Sequence, residues 1–409
     1  MPPPPVPSRS VIPYAPRKRF TPPTSVTIPL TPAEVEWYRN YPGGIGSQIL
    51  RSSGKSNKRG RSVDFGDVNE EPAAKRSRDV GLVVEHYNAR PEVGVDKRNE
   101  SPIIGLKSFN NWVKSVLITQ HAHPVLARSP NSGPYPISAP PGRGRVGGSR
   151  AAGKVMDMGC GKGGDLSKWA KAKIREYIGI DIAEISIDQA RERYGTLRAP
   201  KFAASFAAAD CYNDPLSVSL PPGMFQTVFP PTGQPFDVVS MQFCMHYAFE
   251  SEDKARMMLE NVSVHMREGG IFIGTIPNSA QLLEALDGLP EDAKDLSFGN
   301  SVYKIRFDNR RERPLFGHRY WFYLKDAVDD VPEYIVHWDN FVQMAAAYGL
   351  HPVYKKEFHE VFTDNQEHPE FKPLLERMKV VDKDGESQMD EDQWEAANIY
   401  IAFAFEKRS

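Results

Sequence analysis

The sequence predicts an α/β fold: a mostly parallel sheet with helices on both faces. Three observations carry this. From Lys154 onward, short apolar runs alternate with stretches of helical periodicity, the pattern of strands joined by crossover helices. A glycine-rich turn, Gly159-Cys-Gly-Lys-Gly-Gly164, lies between the first apolar run and the first helical stretch. The chain also changes character near residue 100, from Pro-, Ser- and charge-rich sequence to sequence with apolar periodicity.

Composition bounds the rest. Lys and Arg total 51 and Asp and Glu 52, a net charge of -1, which excludes a uniformly basic nucleic-acid coat but not a local basic patch. The three cysteines, Cys160, Cys211 and Cys244, have neither zinc-ribbon nor CxxC spacing and make no disulfide framework, so a reducing compartment is expected. No run of ~20 apolar residues is present, and no membrane span is expected. The opening Met-Pro-Pro-Pro-Pro lacks the basic-then-apolar pattern of a signal peptide, and none is expected.

Residues 1–100 cannot bury enough apolar surface to offset the entropy of ordering, so they are expected to be a disordered arm. Two basic clusters stand in it, Lys58-Arg59-Gly60-Arg61 and Lys75-Arg76-Ser77-Arg78. They read either as solvated charge runs or as a two-part nuclear localisation signal or RNA-attracting arm. Order is expected from about Ile103. Phe109, Trp112, Val113 and Val116 form one stripe at i, i+3, i+4 and i+7, predicting a helix over 108–118 with Ser108 as N-cap. Residues 124–153 carry Pro124, Pro130, Pro134, Pro136, Pro140 and Pro141 among many Gly and Ser, and read as a linker or surface loop.

Val155–Met158 is the first predicted strand, followed by a helix over 162–171 with Leu166, Trp169 and Ala170 on one face. Tyr177–Ile180 is a strand, and Ile187, Ala190 and Tyr194 mark the next helix. Phe236–Met241 is a strand. Met258, Leu259, Val262 and Met266 line a helix that Glu268-Gly269-Gly270 ends, before a strand over Ile271–Ile276. Ile399–Phe405 is strongly strand-forming. The acidic stretch 382–395 reads as a solvated loop, with a recruitment surface as the alternative.

The glycine-rich turn carries the chemistry. Gly159, Gly161 and Gly164 satisfy GxGxxG, weak evidence alone. Context sharpens it. Asp157 stands at the strand end just before the glycines, where an acid repels a pyrophosphate but suits a cationic amino group. Asp181 ends the next strand, placed to accept from ribose hydroxyls. Asp210 follows another apolar stretch, placed to meet an adenine amino group. Each Asp singly reads as a cap or turn residue; the ordered set points to S-adenosylmethionine (SAM) rather than a nicotinamide dinucleotide.

The run Asp157-Met-Gly-Cys-Gly-Lys-Gly-Gly-Asp-Leu-Ser-Lys-Trp169 resembles motif I of the eukaryotic mRNA cap (guanine-N7) methyltransferases. Phe109-Asn-Asn-Trp-Val-Lys114, Gln242-Phe-Cys-Met-His-Tyr247, Pro277-Asn-Ser279, Val331-Pro-Glu333 and Trp394-Glu-Ala396 resemble further motifs of that family, over about Ser101–Lys407. The resemblance implies a Rossmann-like class I SAM-dependent methyltransferase domain with a seven-stranded sheet over 154–409. Residues 101–123 would form a lid helix, and 124–153 an insertion. Cofactor contacts are implied for Lys114, Gly159, Asp181, Asp210, Gln242 and Tyr247, beside Asp157, with Lys114 on the methionine carboxylate. Asn110 and Asn111 are implied at the cap site, Lys162, Lys168 and Arg193 near the cap nucleotide and its phosphates, and His246, Glu333 and Tyr400 around the guanine. Cations on the first turns of two helices would meet the triphosphate. An acid would accept from guanine N1–H and amino groups, and an aromatic would stack on the base.

The implied reaction moves a methyl group from SAM to N7 of the terminal guanosine of GpppN-capped RNA. Guanine N7 has a lone pair and no proton, so no side-chain general base and no metal is expected. The implied partner is capped RNA, with the RNA polymerase II tail or other capping enzymes as candidates for the N-terminal arm, in the nucleus. A methyltransferase for small molecules or proteins would not need Asn110-Asn111 or the Lys162/Lys168/Arg193 set. A non-enzymatic RNA-binding module would not need intact cofactor acids, and a NAD-dependent dehydrogenase would show nicotinamide turnover.

Overall fold

The alternating runs from Lys154 build one seven-stranded sheet in the computed structural model, which describes residues 73–89, 100–134, 150–198, 202–231 and 235–409. Helix α1 (Ala73–Ala89) and helix α2 (Ile104–Leu117) precede it. A π-helical turn (Ile118–Ala122) leads from α2 into α3 (His123–Ala127). Strands β1 (Gly133–Pro134) and β2 (Arg150–Ala151) pair antiparallel at the two ends of the Pro/Gly-rich segment. Then follow β3 (Lys154–Met158), α4 (Leu166–Lys171), β4 (Glu176–Asp181), α5 (Glu184–Thr196) and β5 (Ala203–Ala208). Short helices α6 (Leu216–Ser219) and α7 (Pro222–Val228) lead to β6 (Phe236–Gln242), a 3-10 helix (Met245–Glu250), α8 (Glu252–His265) and β7 (Met266–Pro277). After α9 (Ser279–Asp287) comes a small sheet of β8 (Ser297–Gly299), β9 (Tyr303–Phe307), β10 (Arg319–Leu324) and β11 (Val328–Tyr334). The chain ends with α10 (Trp338–Ala346), β12 (Leu350–Glu357), α11 (Phe358–Asn365), α12 (Lys372–Arg377), α13 (Glu391–Asn398) and β13 (Tyr400–Lys407).

The large sheet has the order β12-β13-β7-β6-β3-β4-β5. β3 pairs parallel with both β4 and β6, β4 with β5, and β6 with β7; β13 alone runs antiparallel to its neighbours β7 and β12. Strand order therefore reverses at β3, and the crevice beyond the carboxyl ends of β3 and β6 is the switch point where such sheets bind ligands. Alternate side chains feed two apolar layers. Val155, Val238 and Ile273 pack with α2, α4, α5, α11 and α13, while Met156, Val239 and Phe272 pack with α8 and α10. This is the predicted α/β fold, with a mostly parallel seven-stranded sheet and helices on both faces.

Several elements differ from the sequence reading. Residues 73–89, expected to be disordered, form α1: Val80, Val83, Val84 and Tyr87 recur at i, i+3, i+4 and i+7 and line the cavity described below. α2 starts at Ile104 with Ile103 as its cap residue, so Ser108 lies inside the helix and caps nothing. The helix expected over 162–171 begins only at Leu166, because Gly161 and Gly163 take left-handed φ of 50° and 69°. β7 runs through Glu268-Gly269-Gly270 rather than starting after it. The antiparallel sheet β11-β10-β9-β8 was not foreseen, nor was the helical second half of the 382–395 stretch. There Asp390 accepts from Gln393 N–H at 2.8 Å as N-cap of α13. Residues 1–72, 90–99 and 135–149 lie outside the described residues, and with them the Lys58–Arg61 cluster, most of the expected arm and the middle of the 124–153 segment. Among the described residues, Arg78–Ser409 pack as one unit; Ala73–Ser77, the opening of α1, are the described part of a second unit, Thr21–Ser77. No described helix is long and apolar enough to cross a membrane.

Candidate active site

The glycine turn after β3 is held by its neighbours. Gly159 and Cys160 N–H both donate to Ile180 O, at 2.7 and 3.0 Å. Gly159 has φ 72°, and a Cβ there would lie 2.4 Å from Cys244 Sγ, so no larger residue fits. Asp181 accepts from Gly161 N–H at 2.8 Å and Ala183 N–H at 2.9 Å, which ties the turn to the entrance of α5. Gly161 and Gly163 are also left-handed, so the third glycine that the backbone demands is Gly163, not Gly164 of the motif. Gly164 instead leaves room in front of Lys114, whose Nζ would stand 3.9 Å from a Cβ there.

This turn opens onto a cavity of about 580 Å³. Lys114, Asp157, Gly159, Lys162, Asp181, Arg193, Asp210, Gln242 and Tyr247 all line it, so nine of the expected residues converge there. Asp157 is 3% exposed and accepts from Tyr177 OH at 3.0 Å. Burial, aided by the nearby charge of Asp165, pushes its carboxyl up to about 7, against the Tyr177 hydrogen bond and Lys114. Asp210 accepts from Tyr212 and Asn213 N–H at 2.9 and 3.2 Å. Gln242 is oriented by Ser240 and Thr275. Phe243, next along, has a left-handed φ of 61°, backbone strain stored at the site and held by its N–H bond to Thr275 O at 3.0 Å.

Asp165 was not singled out from the sequence, yet it organises the wall. It accepts from Lys114 Nζ at 2.9 Å and Lys168 Nζ at 2.7 Å. Burial alone would raise its carboxyl; the two ammonium groups outweigh burial and hold it well below the usual carboxylate range. Lys168 itself departs from expectation. It is 8% exposed, donates to Asp165 and Asn111 Oδ1, and does not line the cavity. Burial lowers its ammonium and Asp165 opposes that. Nor does Arg193 stand on a first turn: it lies in the last turn of α5. Asn110 Oδ1 is buried and without a hydrogen-bond partner among the described residues.

The expected guanine residues form a second cluster. Glu333, 4% exposed on β11, accepts from Tyr320 OH at 2.7 Å and Tyr247 OH at 3.3 Å. His246 Nε2 stands 3.3 Å from Glu333 Oε1, outside hydrogen-bonding geometry. Tyr400 packs edge-on to Phe243 with ring centres 4.9 Å apart. Tyr247 lines the cavity and touches Glu333, so it joins this cluster to the glycine turn.

The sequence reading missed α1. Asp79, Val80, Val83, Val84 and Tyr87 line the cavity, and Asp79 accepts from Arg319 Nη1 at 2.9 Å and Tyr334 OH at 3.0 Å. The signal was the i, i+3, i+4, i+7 stripe, hidden by averaging composition over 100 residues.

The donor set fits SAM. Lys114 and Asp157 both line the cavity, an ammonium and a carboxyl suited to the two ends of a zwitterionic amino acid, and the Gly159 cradle lets backbone approach the ligand.

A family model described as mRNA (guanine-N(7))-methyltransferase domain matches residues 71–131 and 146–408, starting some thirty residues before the match expected from the motifs and taking in all of α1. A protein named mRNA cap guanine-N(7) methyltransferase from Cryptococcus neoformans var. neoformans serotype D (strain JEC21) is 48% identical over 372 residues, covering 91% of this chain and 54% of that protein. One of the same name from Schizosaccharomyces pombe (strain 972) is 46% identical over 330 residues, covering 80% and 82%. The chain spans about half the length of the Cryptococcus relatives it matches. With the glycine turn, its ordered acids and the Tyr247–Glu333 junction in one fold, the chain belongs to the mRNA (guanine-N7)-methyltransferase domain family.

Proposed function

We propose that this chain is an mRNA cap guanine-N7 methyltransferase. It converts GpppN-RNA to m7GpppN-RNA with S-adenosylhomocysteine as by-product. The observation that carries the reading is Tyr247, which lines the cavity of the glycine turn and donates to Glu333. Donor and acceptor ends share one residue.

When bound, SAM supplies an electrophilic methyl group on a sulfonium. Asp157 and Lys114 hold the ammonium and carboxylate of its amino-acid end, Asp181 the ribose and Asp210 the adenine. Glu333 accepts from the guanine N1–H and amino group, and its negative charge favours a base that becomes cationic as N7 is alkylated. Tyr320 and Tyr247 fix that carboxylate from both oxygens. His246 and Tyr400 wall the base, and Asn110 and Asn111 stand at its cap site. Lys162 and Arg193 meet the triphosphate. Lys168 acts one step back, by fixing Asp165 and Asn111. No group removes a proton, because N7 carries none; alignment of the reacting atoms is the catalysis.

The arm before α1 serves recruitment in the nucleus, with the RNA polymerase II tail or other capping enzymes as partners, and the basic clusters act as a two-part nuclear localisation signal or draw in RNA. Residues 154–409 act as the catalytic domain, α2 as its wall and 124–153 as an insertion.

Glu333→Ala tests the reading. It should bind SAM as the parent does, yet lose turnover on GpppN-RNA by about a hundredfold or more, the loss of charge-assisted bonds to the base. Undiminished turnover would contradict the role of Glu333.

A further inference from the structure

One buried group in the cavity has no task in this reaction. Glu250 closes the 3-10 helix Met245–Glu250 and is 2% exposed. Its Oε2 accepts from Lys254 Nζ at 2.5 Å, while Oε1 has no hydrogen-bond partner among the described residues. Both Glu250 and Lys254 line the cavity. Its other acid on that side is satisfied: Asp79 accepts from Arg319 and Tyr334. A buried carboxylate oxygen without a donor is costly, and a ligand that brings an O–H or N–H recovers that cost.

Position narrows the ligand. Residues three apart eclipse on a 3-10 helix, so Glu250 stands on the same face as Tyr247. Tyr247 donates to Glu333, the acid assigned above to the guanine. The donors of a cap guanosine are N1–H, the 2-amino group and the two ribose hydroxyls, since the triphosphate only accepts. Glu333 takes the first two. We propose that Glu250 is a cap-recognition residue that accepts a hydrogen bond from a ribose hydroxyl of the methyl-accepting guanosine. The proposal rests on the cap reading and adds a sugar contact to it.

The test uses the full chain and the dinucleotide GpppA, whose acceptor guanosine is unambiguous. Methyl-transfer KM is measured for GpppA, for analogues lacking the 2′- or 3′-hydroxyl on guanosine, and for the analogue lacking the 2′-hydroxyl on adenosine. With the parent chain, removal of one guanosine hydroxyl should raise KM about tenfold, the scale of one charge-assisted hydrogen bond, and the adenosine change should not. Glu250→Gln should raise KM for GpppA, shrink the deoxy penalty to within about twofold and leave SAM binding unchanged. Equal KM for all analogues, an effect confined to the adenosine sugar, or an undiminished penalty in a folded E250Q would each overturn it. Even if E250Q does not fold, equal KM across the analogue series on the parent chain overturns the proposal. No methylation of GpppA or capped RNA at all would instead overturn the cap reading.

Discussion

Asp157 and Asp165 flank the glycine turn, and burial and charge shift them in opposite directions. Asp157 faces few compensating donors and is raised to about 7; Asp165 is held low by Lys114 and Lys168. The sign for Asp157 follows. Between its ordinary value and about 7, the folded chain holds a proton that the unfolded chain has lost, so this group's contribution to stability falls as pH rises through that window. The ammonium of SAM needs the carboxylate form, so affinity should rise with pH up to about 7 and then level off, with proton uptake by buffer on binding below that pH. Calorimetry in buffers of different ionisation enthalpy checks this; Asp157→Asn should bind weakly and without the pH slope. Asp165→Asn would strand the buried Lys168 ammonium and leave the half-buried Lys114 without its partner, and should cost about 3–5 kcal/mol of unfolding free energy, read from denaturant curves. The ordered acids 157, 181 and 210 were legible because their places at strand ends follow from the apolar runs. Asp165 was not, since an Asp in a glycine turn looks like any turn residue. The inward turn of Lys168, which the resemblance puts near the cap phosphates, was not legible either: a sequence shows which residue is charged, not which way an ammonium turns once a buried acid and Asn111 lie within reach.

At the scale of elements, α2, expected as a lid helix, is packed into the core along its apolar face. Phe109 packs on Trp394 with ring centres 4.9 Å apart and on Phe362 at 6.0 Å. Trp112 donates Nε1–H to Phe371 O at 3.1 Å. Both rings are fully buried. Trp112→Ala should therefore cost about 3–5 kcal/mol, and because Lys114 rides on the same helix, SAM affinity should fall along with the unfolding midpoint. Lid behaviour without loss of stability would contradict this packing. The core strands and the α2 stripe were legible from periodicity alone. The meander β8–β11 was not, although Tyr303, Ile305 and Phe307 alternate inward along β9, because its strands are short and set among charged residues. α1 was hidden by its surroundings: four apolar residues at helical spacing are faint inside a Pro- and Ser-rich stretch, and they find cover only against a cavity that the rest of the chain builds.

Across the whole molecule, the fold brings together what the sequence keeps apart. The glycine turn follows β3, Tyr247 follows β6 and Glu333 lies on the edge strand of the small sheet, yet all three meet at the point where strand order reverses. Family resemblance named most of these residues; only the folded chain shows that one tyrosine touches both ends, that one predicted cation is turned inward and that a further buried acid, Glu250, waits beside them. The central claim is that this junction places guanine N7, and no other acceptor, in line with the methyl group. Position-resolved mapping of the product from isotope-labelled SAM and GpppA-RNA, by mass spectrometry of the released cap nucleoside, tests it most directly. The account predicts all transferred label on N7 of the terminal guanosine and none on uncapped RNA; label on an exocyclic amine, a ribose oxygen or an internal base would contradict it.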